Sequence, residues 1–243
     1  MQYPIDVFTH RATRAHDPVR TFKSRRSPLG VDRVDALERL FPRWGFSVED
    51  PSAPPPRTPD GLLDTVTLFG RAAPLVVEIG SGMGDATAAM AAADPDRDWL
   101  AVEAHLPGLA ALLLLIERHG LTNVRVAHGD ALQLLRADVA PGSLDAVHAF
   151  FPDPWPKVRH HKRRLVQPEH VALLRDRLRV GGTLHVATDW AEYAQQMRDV
   201  LTGDPDLTGG VVPRPAHRPV TRFEQRGRDL GHEVTDVIVR RVR

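Results

Sequence analysis

From residue 75 the chain settles into a regular alternation, and this constrains the fold more than any other feature. Short apolar runs stand at Leu75–Ile79, Trp99–Val102, Val124–Ala127, Leu144–Phe151 and Thr183–Ala187. Between them lie segments with apolar residues at helical spacing: Asp85–Ala93, Leu106–His119, Ala131–Leu135 and Gln167–Leu178, the last read as stopping at Gly181-Gly182. Strands separated by helices do not pair as hairpins; each helix carries the chain back, so the strands pair in parallel. The expected fold is α/β, a doubly wound, mostly parallel sheet with helices on both faces. A last pair, Val211–Val212 and Val234–Arg240, reads as antiparallel strands added at one edge.

Upstream of residue 61 the pattern changes. Residues 1–30 have no sustained periodicity and carry Arg11, Arg14, Arg20, Lys23, Arg25 and Arg26, which predicts a mobile basic N-terminal arm. Asp32–Phe41 spaces Val34, Leu37, Leu40 and Phe41 as a short amphipathic helix does. Glu49–Asp60 then packs five prolines into an extended linker or loop. The expected organisation is an arm, helix and linker over residues 1–60 and one domain over residues 61–243.

Several classes fall away on composition. No cysteine is present, which excludes disulfides, thiolate catalysis and cysteine-based zinc sites. No stretch approaches the roughly 18 apolar residues of a membrane span, and the N-terminus MQYPIDVFTHRATR lacks the apolar core of a secretory signal. A cytoplasmic protein without membrane contact is expected. The net charge is only +1, so any polyanion must be met by a local concentration of cations, and the densest is Lys157–Arg164.

The first strand ends in Glu78-Ile79-Gly80-Ser81-Gly82-Met83-Gly84. Glycines at 80, 82 and 84 make a tight turn with a bare backbone, at the carboxyl edge where open α/β sheets bind ligands. Three acids add to it. Glu103 ends the second strand and suits two ribose hydroxyls; Asp130 follows the third and suits an adenine amine; Glu78 suits the cationic methionine part of a ligand. A lone acid at a strand end is often only a helix cap, but three in successive crevice positions point to a ligand. The third glycine comes one residue early for a dinucleotide fingerprint, and carboxylates around the loop repel a pyrophosphate but welcome a sulfonium. S-adenosylmethionine is the predicted cofactor.

The fourth strand runs into Phe150-Phe151-Pro152-Asp153-Pro154-Trp155-Pro156-Lys157, where alternating prolines fix the backbone over the crevice and present Asp153 and Trp155. This resembles the Asp-Pro-Pro-aromatic loop with which amino-directed methyltransferases clamp a planar nitrogen nucleophile. Arg159, His160, His161, Lys162, Arg163 and Arg164 follow, suited to phosphates, with an aromatic nearby for stacking. Adjacent histidines inside a cationic run do not make a metal site, and none is expected. On these residues alone a methyltransferase acting on protein or small molecules, or a non-catalytic RNA-binding protein on the same scaffold, stays open.

FPDPWPKVRHHKRRLVQPEH is similar to the signature segment of the bacterial tRNA (guanine-N7-)-methyltransferase family. Thr188-Asp189-Trp190 and the Arg218–Gly227 stretch resemble two further blocks of that family, and the likeness covers residues 62–243. The resemblance implies N7 methylation of a guanine in the variable loop of tRNA, with tRNA as partner. It also implies cofactor acids at Glu78, Glu103, Asp130 and Asp153, and Asp153 as the catalytic residue. Substrate contacts fall on Lys157, Asp189, Thr221, Arg222, Phe223 and Glu224, with Glu224 a possible further partner of the base. RNA contacts fall on Arg159 to Arg164.

Overall fold

Val76, Val77, Leu100, Ala101, Val126 and Val147 are all fully buried. Neighbouring residues buried alike mean strands covered on both faces, as in a parallel sheet between helical layers. A computed structural model describes residues 19–22 and 29–243. Its elements are α1 (Val31–Trp44), β1 (Gly45–Ser47), α2 (Thr65–Phe69), β2 (Leu75–Ile79), α3 (Asp85–Ala93), β3 (Asp98–Glu103), α4 (Leu106–His119), β4 (Val124–His128), α5 (Ala131–Ala137) and β5 (Leu144–Phe150). A 3₁₀ turn (Val158–Arg163) follows, then α6 (Pro168–Arg177), β6 (Leu178–Thr188), α7 (Ala191–Gly203), β7 (Leu207–Val212), α8 (Arg222–Asp229) and β8 (Thr235–Arg241).

The sheet order is β1-β4-β3-β2-β5-β6-β8-β7. β1 to β6 run parallel, and β8 lies antiparallel to both β6 and β7. The expected doubly wound sheet is therefore present, with its antiparallel pair at one edge. The winding reverses between β2 and β5, and a ligand crevice opens at the strands' carboxyl ends beside such a reversal. One face of the sheet buries Leu37, Leu40, Phe41, Met90, Trp99, Leu109, Leu112, Leu113 and Ile116 under α1, α3 and α4. The other buries Leu132, Leu135, Val171, Leu174, Tyr193, Met197 and Leu201 under α5, α6 and α7.

Two local features depart from the sequence reading. Gly181-Gly182 does not stop a helix: α6 ends at Arg177, and Leu178 is already extended. The pair makes a bulge inside β6, where the register with β5 jumps from Leu144↔Leu178 to Ala146↔Thr183. A Cβ at Gly182 would lie 3.0 Å or less from the carbonyl oxygens of Arg179, Leu144 and Asp145, so the bulge admits only glycine there. The other departure is β1, a strand that no alternation announced, which pairs with β4 through Gly45↔Val126.

Residues 31–60, grouped with the arm on sequence grounds, contribute α1 and this edge strand. The proline-rich segment is fastened to the domain by Ser47 N–H on the Ala53 carbonyl and by Arg57 on Asp138 at 2.6 Å. Arg11, Arg14, Lys23, Arg25 and Arg26 of the expected mobile arm lie outside the described residues.

Candidate active site

Glu78, Glu103, Asp130, Asp153 and Asp189 stand at one edge of the sheet, because β2 to β6 are parallel and end together. Ile79 stands opposite Val102, Glu103 opposite His128, and Phe150 opposite Ala187. A cavity of about 250 Å³ opens there, lined by Gly80, Gly82, Glu103, Asp153, Phe150 and Phe151 among others. Thr21 and Phe22, from the described part of the arm, complete one wall. No sequence signal marked those two residues.

The glycine loop has the bare backbone its spacing predicts. Positions where Gly80 and Gly82 would carry Cβ atoms face open space. The amide of Gly82 donates to Glu103 Oε2 at 2.8 Å, and that of His105 donates to Oε1 at 2.7 Å. Glu103 therefore spans the loop and the start of α4 inside the cavity. Burial raises its pKa, with the backbone N–H bonds opposing the shift.

Glu78 does not line the cavity. It points under α3, is buried, accepts from Thr87 Oγ1 at 2.5 Å, and burial raises its pKa to about 7. Asp130 also stands outside the cavity wall. Its Oδ1 caps α5 by accepting from Leu132 N at 2.9 Å and, more weakly, Gln133 N at 3.4 Å, while its neighbours Gly129 and Ala131 line the cavity.

The loop after β5 carries unusual backbone. Phe151 and Trp155 have φ of 53° and 45°, left-handed values that cost bulky residues of order 1–3 kcal/mol each. Asp153 lies between them and faces the cavity. Trp155 is not presented to a substrate, contrary to the sequence expectation. It is 5% exposed, and its Nε1–H donates to the Thr21 carbonyl at 3.0 Å. The Arg163 guanidinium lies 4.8 Å from the centroid of its ring. The exposed aromatics near the acids are Trp190 at 37% and Phe223 at 55%, and Phe223 packs on Phe151 with ring centroids 5.2 Å apart.

The basic run divides in two. Lys157, Arg159, Lys162 and Arg163 are exposed on the 3₁₀ turn, and His160 and His161 are half-buried. Arg164 is 1% exposed, so the structure removes it from the expected RNA contacts. Its guanidinium is used internally, on Pro154 O, Glu192 and Gln196.

Thr221 caps α8 with its hydroxyl on Glu224 N at 3.0 Å, and Arg222 is exposed, 3.8 Å from Asp85. Asp189 lies 3.1 Å from His232 Nδ1, at the side of α8. Glu224 does not reach a base: it is fully buried, with Oε2 taken by Arg218 and Oε1 by Arg228 at 2.6 Å. Arg218, also fully buried, forks onto Asp236 with two bonds of 2.7 Å, and Asp236 holds His185 Nε2 at 2.7 Å. This ionic hub fixes the segment leading into α8, and nothing in the local sequence distinguishes its buried arginine from the exposed ones nearby.

A family described as "Putative methyltransferase" matches residues 72–237. A tRNA (guanine-N(7)-)-methyltransferase of Streptomyces avermitilis is 52% identical, covering 92% of this chain and 76% of that protein. One from Nitrosospira multiformis is 48% identical over 93% of this chain and 96% of its own length. Among solved structures, 16S rRNA methyltransferase KamB aligns with a TM-score of 0.54 at 14% identity, covering 77% of this chain and 95% of that one. An rRNA methylase from Streptococcus thermophilus gives 0.50 at 17% identity, covering 70% and 88%. These two likenesses concern the fold.

Proposed function

The chain belongs to the tRNA (guanine-N7-)-methyltransferase family, and from that membership we infer that it moves a methyl group from S-adenosylmethionine to N7 of a guanine in the tRNA variable loop. The observation that carries the reading is one juxtaposition. A cavity walled by bare glycine backbone, Glu103 and Asp153 opens directly beside the exposed cations Lys157, Arg159, Lys162 and Arg163. A tRNA substrate puts the work in the cytoplasm.

The cavity fits the cofactor on chemical grounds. Open space over Gly80 and Gly82 lets a ligand lie on the main chain, and Glu103 offers two carboxylate oxygens suited to ribose hydroxyls. Glu78 and Asp130 lie behind that wall and support the loop and α5, with the acidic surroundings favouring a ligand that carries positive charge. When bound, S-adenosylmethionine supplies an electrophilic methyl group on a sulfonium.

Guanine N7 has a lone pair and no proton to lose, so the protein needs no general base. Its work is to draw the base from its tertiary contacts, at a cost of a few kcal/mol, and to hold it in line. Such alignment is worth up to about 7–11 kcal/mol. Asp153, held in a strained loop, and Asp189, at the end of β6, accept from the guanine N1–H and amino edge. Both stabilise the positive charge that grows on the purine. Phe223, exposed on Phe151, offers the base a stacking face. The cations on the 3₁₀ turn meet the phosphates.

The test is methyl transfer from labelled S-adenosylmethionine to unmodified tRNA transcripts, with the modified base mapped. N7-methylguanosine in the variable loop, lost when that guanine is replaced, is the expected product. In Asp153→Ala, turnover falls by about 100-fold or more with tRNA affinity kept. Equal losses in turnover and affinity would remove Asp153 from the chemistry.

A further inference from the structure

Arg164 ends a run of cations beside a nucleic-acid face, yet none of its charge reaches that face. Nε donates to the Pro154 carbonyl at 2.8 Å, in the strained loop that carries Asp153. Nη1 and Nη2 fork onto the two carboxylate oxygens of Glu192, each at 3.2 Å. Nη1 also reaches the Gln196 side-chain oxygen, and the guanidinium lies 4.9 Å from the centroid of the Tyr193 ring. Nη2 stands 3.0 Å from His161 Nε2; an arginine only donates, so that nitrogen is the acceptor. Glu192 stands in the first turn of α7, whose N-cap is Trp190, the residue after Asp189.

These contacts tie the Asp153 loop, through Arg164, to Glu192 at the start of α7, two residues past Trp190. The tie joins the end of β5 to the end of β6, the two places from which the acids read as guanine partners project. A loop with left-handed Phe151 and Trp155 keeps its shape only when something outside it holds it. We propose that Arg164 is a positioning residue for methyl transfer, fixing the Asp153 loop against the Asp189–Trp190 corner through Glu192, and that it makes no contact with RNA.

This rests on the reading of Asp153 given above. Lysine keeps the charge but lacks the planar fork, so Arg164→Lys breaks the tie selectively. Glu192 is 57% exposed at its side chain, so Glu192→Gln breaks the same tie from the solvent side with little risk to folding. The full-length variants, Asp153→Ala and the double variant are compared in single-turnover methyl transfer at saturating tRNA and S-adenosylmethionine. tRNA affinity is measured across salt concentrations.

Both single variants should transfer methyl about tenfold or more slowly, since a misplacement of about 1 Å can cost roughly 100-fold. tRNA affinity and its salt slope should stay at the wild-type values. The double variant should be no slower than Arg164→Lys, because both act on one connection. Arg164→Gln, which removes the charge, should keep the wild-type salt slope; a slope shallower by about one in that variant marks a lost phosphate contact and overturns the proposal. Undiminished transfer by Glu192→Gln overturns it too, even if Arg164→Lys does not fold. Undiminished transfer by Asp153→Ala brings down the Asp153 reading and this one with it, whereas a slow Asp153→Ala beside fast tie variants refutes the positioning role alone.

Discussion

Glu78 is a carboxyl group buried beneath α3, accepting a hydrogen bond from the Thr87 hydroxyl, and burial raises its pKa to about 7 from 4.5. An acid whose folded pKa is raised favours the fold while protonated. That contribution is complete below about pH 4.5 and is lost as the pH climbs through about 7. Over this window wild-type protein gives up roughly 3 kcal/mol, from about 1.4 kcal/mol per pKa unit. Glu78→Gln keeps an oxygen for the Thr87 hydroxyl and removes the ionisation. Without cofactor, the variant should match wild type in urea unfolding near pH 4 and exceed it by up to roughly 3 kcal/mol at pH 8. A difference between the two that stays constant with pH would mean that Glu78 does not titrate in this window.

α4 is the element on which the glycine loop rests, and Gly108 is where they meet. A Cβ there would stand 2.2 Å from the Gly82 carbonyl oxygen, so Gly108→Ala must push the helix and loop apart. Because Gly82 N–H also holds Glu103, this moves two walls of the cavity together. S-adenosylmethionine affinity, measured by calorimetry, should fall by about tenfold or more, the effect of losing a good hydrogen bond or two. Wild-type affinity would show that the loop yields without harm. The sequence announced the glycine loop and Glu103, because a strand ending in an acid and bare glycine is a local pattern. It did not announce Gly108, which matters only where α4 crosses the loop. Other placements that the sequence does not show share this cause. Arg164 and Glu224 look like surface charges in the text, and only the packing of α7 on the 3₁₀ turn, and of α8 on Arg218, buries them. Asp130 has the position of a cofactor acid, and its Oδ1 also caps α5, a second use that spacing alone does not reveal. β1 has three residues and no alternation to show, so its place beside β4 follows from α1 packing on α4 rather than from its own composition.

A molecule with 32 basic and 31 acidic residues has no net charge worth speaking of for drawing in a polyanion, so the arrangement of charge must do it. At the amino edge of the sheet the arginines are answered by acids: Arg71 by Asp98 at 2.7 Å, Arg175 by Asp204 at 2.7 Å, and Arg179 by Asp145. At the carboxyl edge Lys157, Arg159, Lys162 and Arg163 stand exposed in a run without an acid, beside Asp153 and the cavity. The cations of the 3₁₀ turn are therefore a local patch, at the edge of the sheet where the cavity opens. Phosphates held there release counterions, so affinity falls with salt in proportion to the contacts made. Replacing Arg159 and Lys162 together with alanine should make the plot of log affinity for tRNA against log salt shallower by about 1.4–1.8, at roughly 0.7–0.9 per contact. Arg179→Ala, exposed as well but paired and at the far edge, should leave that slope at its wild-type value. The methyl transfer rate at saturating tRNA should survive the double substitution, since those cations position the nucleic acid rather than the reacting atoms. Equal slopes in all three proteins would place the RNA on some other face, and would separate the cavity from the patch that the fold sets beside it.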